Sequence, residues 1–226
     1  MRHYDSIDRI QDNGFLLGKS VWAFNKLDGQ NLAVKYNHRK NIFDSFGSRK
    51  RMVDESDEQF GDAVKYFKNS GLAENIAQIV KENSGKKGLF TGADEITFYF
   101  EWVGEHSFAG KHEPTDELKL YLIDVFIKKK GYIEPKPFYE LFCKDDRIDT
   151  PELIYNGPLT KEFVNEIWEN DWTKEGCKYP MVKEGVVCRL ASILKGQNMP
   201  KVKFKTKWWI DRLHEMYTEE ECKILE

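Results

Sequence analysis

The sequence predicts an α+β fold with largely antiparallel sheets and flanking helices. Strand-like segments rich in aromatic and β-branched residues are spread along the chain, helical periodicity appears between some of them, and the two do not alternate regularly as in a doubly wound fold. The first strands are Val21 to Phe24 and Asn31 to Tyr36. Phe60, Val64 and Phe67 then share a helical face, as do Leu72, Ile76 and Ile79, with Gly71 and Gly85 as stops. Strands follow at Ile96 to Val103 and Leu118 to Ile127. Thr160 opens a helix carrying Phe163, Ile167 and Trp168. Gly185 to Leu190 and Lys201 to Trp208 are the last strands. Trp209, Leu213, Met216 and Tyr217 mark a final helix over about 208–220.

A chain of 226 residues suits one sizeable domain, and neither a repeat nor a low-complexity linker divides it. No apolar run reaches the ~20 residues of a membrane span, and "MRHYDSIDRI" lacks a signal-peptide core, so a cytoplasmic protein is expected. Cys143, Cys177, Cys188 and Cys222 lack CxxC spacing and are expected as reduced thiols. The five histidines, His3, His38, His106, His112 and His214, have neither metal-ligand nor triad spacing. Net charge is −3, which excludes phosphate binding through bulk positive charge and requires any anion site to be local. Basic clusters occur in "NHRK", "SRKR", "KKK" and "KVKFKTK", of which "KKK" reads well as a solvated charged surface.

Several residues stand out chemically. Lys26 ends the first strand, followed by Leu27, Asp28 and Gly29 where the chain must turn; alone, such a lysine is ordinarily a solvated surface group. Glu101 interrupts the apolar "FYFEWVG", Asp124 interrupts "YLIDVF", and Glu184 precedes the Val-rich strand of "VKEGVV". Carboxylates in such segments need a cation, a metal or a hydrogen-bond partner to offset burial. Lys203 and Lys205 alternate onto one face of "KVKFKTKWW", against Val202, Phe204 and Thr206. Edge strands defended by charge explain such lysines equally well.

The order K-L-D-G, S-R-K, strand Glu, I-D, E-G-V-V and K-F-K, from about Val21 to Trp208, resembles the covalent nucleotidyltransferases: ATP-dependent RNA and DNA ligases and mRNA capping enzymes. "FEWVGEHSFAGKH" and "YDSIDRI" are most similar to the phage and bacterial RNA ligase branch. The resemblance implies a ligase-type nucleotidyltransferase (adenylation) domain. Too few residues follow Lys205 for an OB-fold module, so a catalytic domain alone is expected.

The resemblance further implies that Lys26 attacks the α-phosphate of ATP, giving lysyl-AMP, with Lys203 and Lys205 as catalytic cations on the triphosphate. Arg49 matches a contact to the nucleotide sugar or the nucleic-acid end, Glu101 a ribose hydroxyl contact, and Glu184 a carboxylate near the metal. Magnesium is expected there, with manganese as an alternative. Asn25, Asp28, Gly29 and Ile123 complete the implied nucleotide-binding set, and structural hydrogen bonding would equally explain Asp28 and Asp124. The chain departs from the family at Ile123, where many members stack an aromatic on adenine, and at Asn25, where a Glu often reads the amino group. ATP is the favoured donor and GTP stays open. The expected substrates are RNA ends or a nicked duplex in RNA repair, with an accessory end-processing or nucleic-acid-binding partner. A DNA-ligase-like nick sealer and a non-ligating nucleotide- or RNA-end-binding module are the alternatives.

Overall fold

The computed structural model, which describes residues 1–192 and 199–225, is mixed α+β with antiparallel sheets, as the sequence predicts. Its contacts group into two compact units, one of residues 6–28, 151–192 and 199–225 and one of residues 1–5 and 29–150. No described helix is long and apolar enough to cross a membrane.

In the smaller unit a five-stranded sheet runs in the order β1 (Asp8–Arg9), β11 (Lys201–Lys205), β10 (Gly185–Leu190), β2 (Ser20–Lys26), β9 (Leu153–Pro158), with strands numbered in chain order. Only the short β1–β11 pair is parallel. Alternation places Val21 and Ala23 of β2, Val186 of β10, and Val202 and Phe204 of β11 in one core with Leu16, Phe163 and Ile167. Phe163 stacks on Tyr155 at 4.3 Å between ring centroids and meets Phe204 edge-on at 5.9 Å.

In the other unit a six-stranded antiparallel sheet runs β5 (Met52–Val53), β4 (Ile42–Gly47), β3 (Gln30–Asn37), β6 (Glu95–Val103), β7 (Lys119–Ile127), β8 (Gly131–Tyr132). The helices expected around Phe67 and Ile76 form as α1 (Gly61–Asn69) and α2 (Leu72–Glu82), and Phe67 meets Phe43, Phe46 and Phe100 edge-on. Gly71 takes a left-handed conformation between them, φ +84°, which its missing Cβ makes accessible. β6 is buried on both faces, because Tyr99 packs on Tyr4 and Tyr132 while Phe100 faces α1. After β8 comes a short helix, α3 (Pro135–Phe138), continued by a π-helical turn over Tyr139–Cys143.

Among the described residues, three α-helices belong to the five-stranded unit. α4 (Lys161–Trp168) starts where expected, the Thr160 hydroxyl oxygen accepting from the Phe163 amide at 3.1 Å. α5 (Lys207–Met216) and α6 (Glu219–Leu225) occupy the range of the expected final helix. The last strand is shorter than expected: it stops at Lys205, because the Thr206 hydroxyl caps α5 by accepting from the Trp209 amide at 3.2 Å. Trp209 and Leu213 are buried as expected, whereas Met216 is 55% exposed and Tyr217 lies beyond the helix.

Candidate active site

β10 lies between β2 and β11, and one residue sets the geometry. Gly185 is in register with both Lys26 and Lys205, so Glu184, immediately before it, sits between the two lysines. Its carboxylate accepts from Lys26 Nζ at 2.7 Å through Oε2 and pairs with Lys205 Nζ at 3.0 Å through Oε1. The close approach depends on the glycine: a Cβ at 185 would lie 2.2 Å from the Phe204 carbonyl oxygen and 2.7 Å from Lys205 Cα. Gly185→Ala is therefore expected to destabilise the protein by about 3 kcal/mol, near the upper end of overpacking costs, measured as a lower urea midpoint.

Glu184 is 3% exposed. Burial pushes its pKa up, but the ammoniums of Lys26 and Lys205 outweigh burial and hold the carboxyl below its ordinary value of 4.5. Lys205, also buried, is brought down to about 8 by burial, with Glu184 opposing and Lys26 and Lys203 adding to the shift. The linkage sign follows from Glu184, whose folded-state pKa lies below its unfolded value. Its contribution to stability is complete above pH 4.5 and is lost as the pH falls through the depressed folded pKa. Melting temperature is expected to fall as the medium is acidified below pH 4.5, with a shallower slope in Glu184→Gln.

Further contacts lock this group in place. Trp209 Nε1 donates to Asp28 Oδ2 at 2.8 Å, giving the turn carboxylate a structural partner. Thr206 donates its hydroxyl to the Lys183 carbonyl at 2.7 Å and its amide to the Glu184 carbonyl at 2.9 Å, tying α5 to the start of β10. Asn25 is buried; its Nδ2 donates to the Met181 carbonyl at 2.9 Å, and its Oδ1 has no hydrogen-bond partner among the described residues. Lys203 is half-buried, in register with Arg9 and Val187.

The remaining candidates belong to the six-stranded unit. Arg49 is exposed in a turn held by Ser48, whose hydroxyl accepts from the Lys50 and Arg51 amides and whose carbonyl lies 2.9 Å from His3 Nδ1. Glu101 is buried on β6. A Cβ on Gly29 would come within 2.4 Å of the Trp102 carbonyl and 3.0 Å of Glu101 Cγ, so this glycine lets β3 start against the Glu101 segment. Ile123 is half-buried at a β-bulge: Leu122 pairs with Phe100 and Asp124 with Tyr99, leaving Ile123 as the extra residue. Asp124, fully buried, accepts from the Tyr4 hydroxyl at 3.2 Å and the Val125 amide at 2.9 Å, a structural role.

The contacts that Thr206 and Trp209 make at the site, and the bulge, escape sequence reasoning, although a Thr before a helical run is itself an N-cap signal. The four cysteines are free thiols. His106 and His112 serve the loop after β6, through Asp116 at 2.8 Å and the Ser107 hydroxyl at 2.7 Å. Among the described residues no three His, Cys, Asp or Glu gather as a metal site. Glu184 is a single hard carboxylate, which suits an ion such as magnesium that keeps waters and takes its other ligands from phosphate oxygens.

A family model described as RNA ligase matches residues 19–207. No curated protein matches the chain. Among solved structures, an RNA ligase of Naegleria gruberi with PPi is 14% identical, with a TM-score of 0.62 over 95% of this chain and 58% of its own. A lysine-to-alanine variant of that ligase with ATP and Mn is 15% identical, TM-score 0.61, over 94% and 58%. A candidate ATP-dependent DNA ligase of Aquifex aeolicus is 16% identical, TM-score 0.60, over 100% and 57%. The chain thus spans less than three fifths of the length of each, and the likeness is one of fold.

Proposed function

The chain belongs to the RNA ligase family, and from that premise we propose that it is an ATP-dependent ligase that joins 5'-phosphate and 3'-hydroxyl RNA ends through lysyl-AMP. The observation that carries this reading is the Lys26–Glu184–Lys205 bridge, in which a lysine at a strand end shares one buried carboxylate with a second lysine. The Naegleria gruberi structures with ATP and Mn and with PPi match the substrate and the leaving group of the first step.

In that step the Lys26 amine, once deprotonated, attacks the α-phosphorus of ATP. A phosphorus–nitrogen bond forms, the bond to the bridging oxygen breaks, and pyrophosphate departs with the electron pair. A free lysine of pKa about 10.4 is almost entirely protonated at neutral pH and has no lone pair to offer. Glu184 Oε2, 2.7 Å from Lys26 Nζ, orients the amine, whose proton passes to solvent before the attack. Lys205 and Lys203 then offset the negative charge of the triphosphate. Glu184 would hold a magnesium ion, which when bound supplies further neutralisation of phosphate charge. A 5'-phosphate oxygen next attacks the adenylate phosphorus and frees Lys26. Attack by the 3'-hydroxyl oxygen on the 5'-phosphorus then forms the phosphodiester and expels AMP.

Asn25 supports adenine as the base. With Nδ2 committed to Met181, its Oδ1 is an acceptor in need of a donor, and adenine presents an exocyclic amine where guanine presents an oxygen. By the family resemblance, further nucleotide contacts are proposed for Asp28 and, on the six-stranded unit taken by itself, for Gly29, Arg49, Glu101 and Ile123. The test is incubation with α-labelled ATP or GTP and magnesium, followed by sealing of matched RNA and DNA nicks. Labelling by ATP in preference to GTP, and faster sealing of RNA, is expected. Labelling without sealing would reduce the protein to an adenylylating binding module, and equal sealing of all-DNA nicks would overturn the RNA assignment.

A further inference from the structure

We propose that Trp209 is a positioning residue for the adenylylation step, a strut that fixes Lys205 and the K-L-D-G turn relative to each other. The proposal rests on the reading of Lys26 as nucleophile. Trp209 is 2% exposed and contacts both sides of the site. Its Nε1 donates to Asp28 Oδ2 at 2.8 Å, two residues after Lys26, and Lys205 Nζ lies 3.3 Å from its ring centroid. Its own backbone is fixed to the third member of the bridge. The Trp209 amide donates to the Thr206 hydroxyl oxygen, and Thr206 donates to the carbonyls of Lys183 and Glu184.

A tryptophan that merely fills a core needs an acceptor for its N–H and apolar neighbours for its faces. Here the acceptor is a carboxylate of the turn that carries the nucleophile, and one face is given to a buried ammonium. The Lys205 contacts also differ in kind. Glu184 and the Leu225 carbonyl, at 3.0 Å each, are oxygen acceptors that phosphate oxygens can replace. The indole face is not replaced by an anion. It therefore keeps the ammonium in place while its oxygen partners exchange, which a flexible four-carbon side chain cannot do alone.

Trp209→Phe preserves a ring face for Lys205 and deletes the N–H to Asp28, whereas Trp209→Leu deletes both. Lysyl-AMP formation should be timed on the full chain below the melting temperature of each variant, across ATP concentrations. The rate at saturating ATP is expected to fall about tenfold in the Phe variant and about 10²-fold in the Leu variant, with KM moving less than about threefold. A purely structural role would lower melting temperature and leave the rate of the folded protein unchanged. As an independent readout, NMR of ε-13C-labelled lysines should show an upfield ring-current shift of the Lys205 methylene in wild type and Phe variant, absent in the Leu variant. Retention of the saturating rate within about twofold in Trp209→Leu, or of the shifted Lys205 signal, would overturn the proposal. If the wild type forms no lysyl-AMP, the reaction assignment fails, while the NMR comparison still decides whether the indole holds Lys205.

Discussion

Lys26→Arg is expected to acquire no AMP when incubated with ATP and magnesium, while the wild type gains one AMP by intact mass. The arginine variant is the sharper probe, because it keeps a cation beside Glu184 and changes only the chemistry. Guanidinium stays protonated at any accessible pH and so has no lone pair for the α-phosphorus. Lys26→Ala should also be inert, but it deletes one of the two cations facing a carboxylate that is 3% exposed. Because Glu184 keeps Lys205, the loss should stay below the ~3–5 kcal/mol of a fully broken buried pair. A melting temperature near wild type in Lys26→Arg shows that loss of labelling is loss of the nucleophile. An AMP adduct on that variant would place the nucleophile elsewhere.

Lys205→Ala is expected to slow lysyl-AMP formation by about 10²-fold or more, the size of effect seen when one preorganised electrostatic contact is removed. Lys129→Ala should leave the rate unchanged. Lys129 is 78% exposed and pairs with Asp94 at 3.6 Å, a surface ion pair worth ~1 kcal/mol or less. Lys203→Ala should fall between the two, since Lys203 is half-buried and acts on Lys205 through its charge. Burial makes Lys205 a stability determinant as well, so its rate must be read below the melting temperature of the variant. A rate within a few-fold of wild type in folded Lys205→Ala would remove this lysine from the reaction.

The two sets of lysines look alike in sequence, and the difference between them is tertiary. Alternation in "KVKFKTK" places Lys203 and Lys205 on one face, but Lys205 is buried because β10 and the indole of Trp209 close over it. The long strands were legible for a local reason: β-branched and aromatic residues at period two identify β2, β3, β6, β7 and β10 directly. β9 is not among the strands expected from sequence, because it ends in Asn156, Gly157 and Pro158, residue types ordinarily found in turns. The sheet accepts them because β9 is an edge strand, where a proline costs no ladder hydrogen bond. The bulge at Ile123 depends on register with β6, which "LYLIDVF" does not encode by itself. At the site, the need of Glu184 for a partner was legible from its apolar setting. The identity of that partner was not, because Lys26 lies 158 positions away and reaches it only through strand pairing.

That separation has a consequence during synthesis. β2 leaves the ribosome early, yet both of its neighbours in the sheet, β9 and β10, come from the last third of the chain. At 5–20 residues per second, roughly, the strand waits on the order of ten seconds with both edges unpaired and Val21, Ala23 and Phe24 uncovered. Such a segment is a template for pairing with another nascent chain until its own partners arrive. Slower translation lengthens the wait, and cooler growth weakens the hydrophobic attraction that drives mispairing. The yield of folded protein from a cell should therefore depend on holdase chaperones acting on this one early strand.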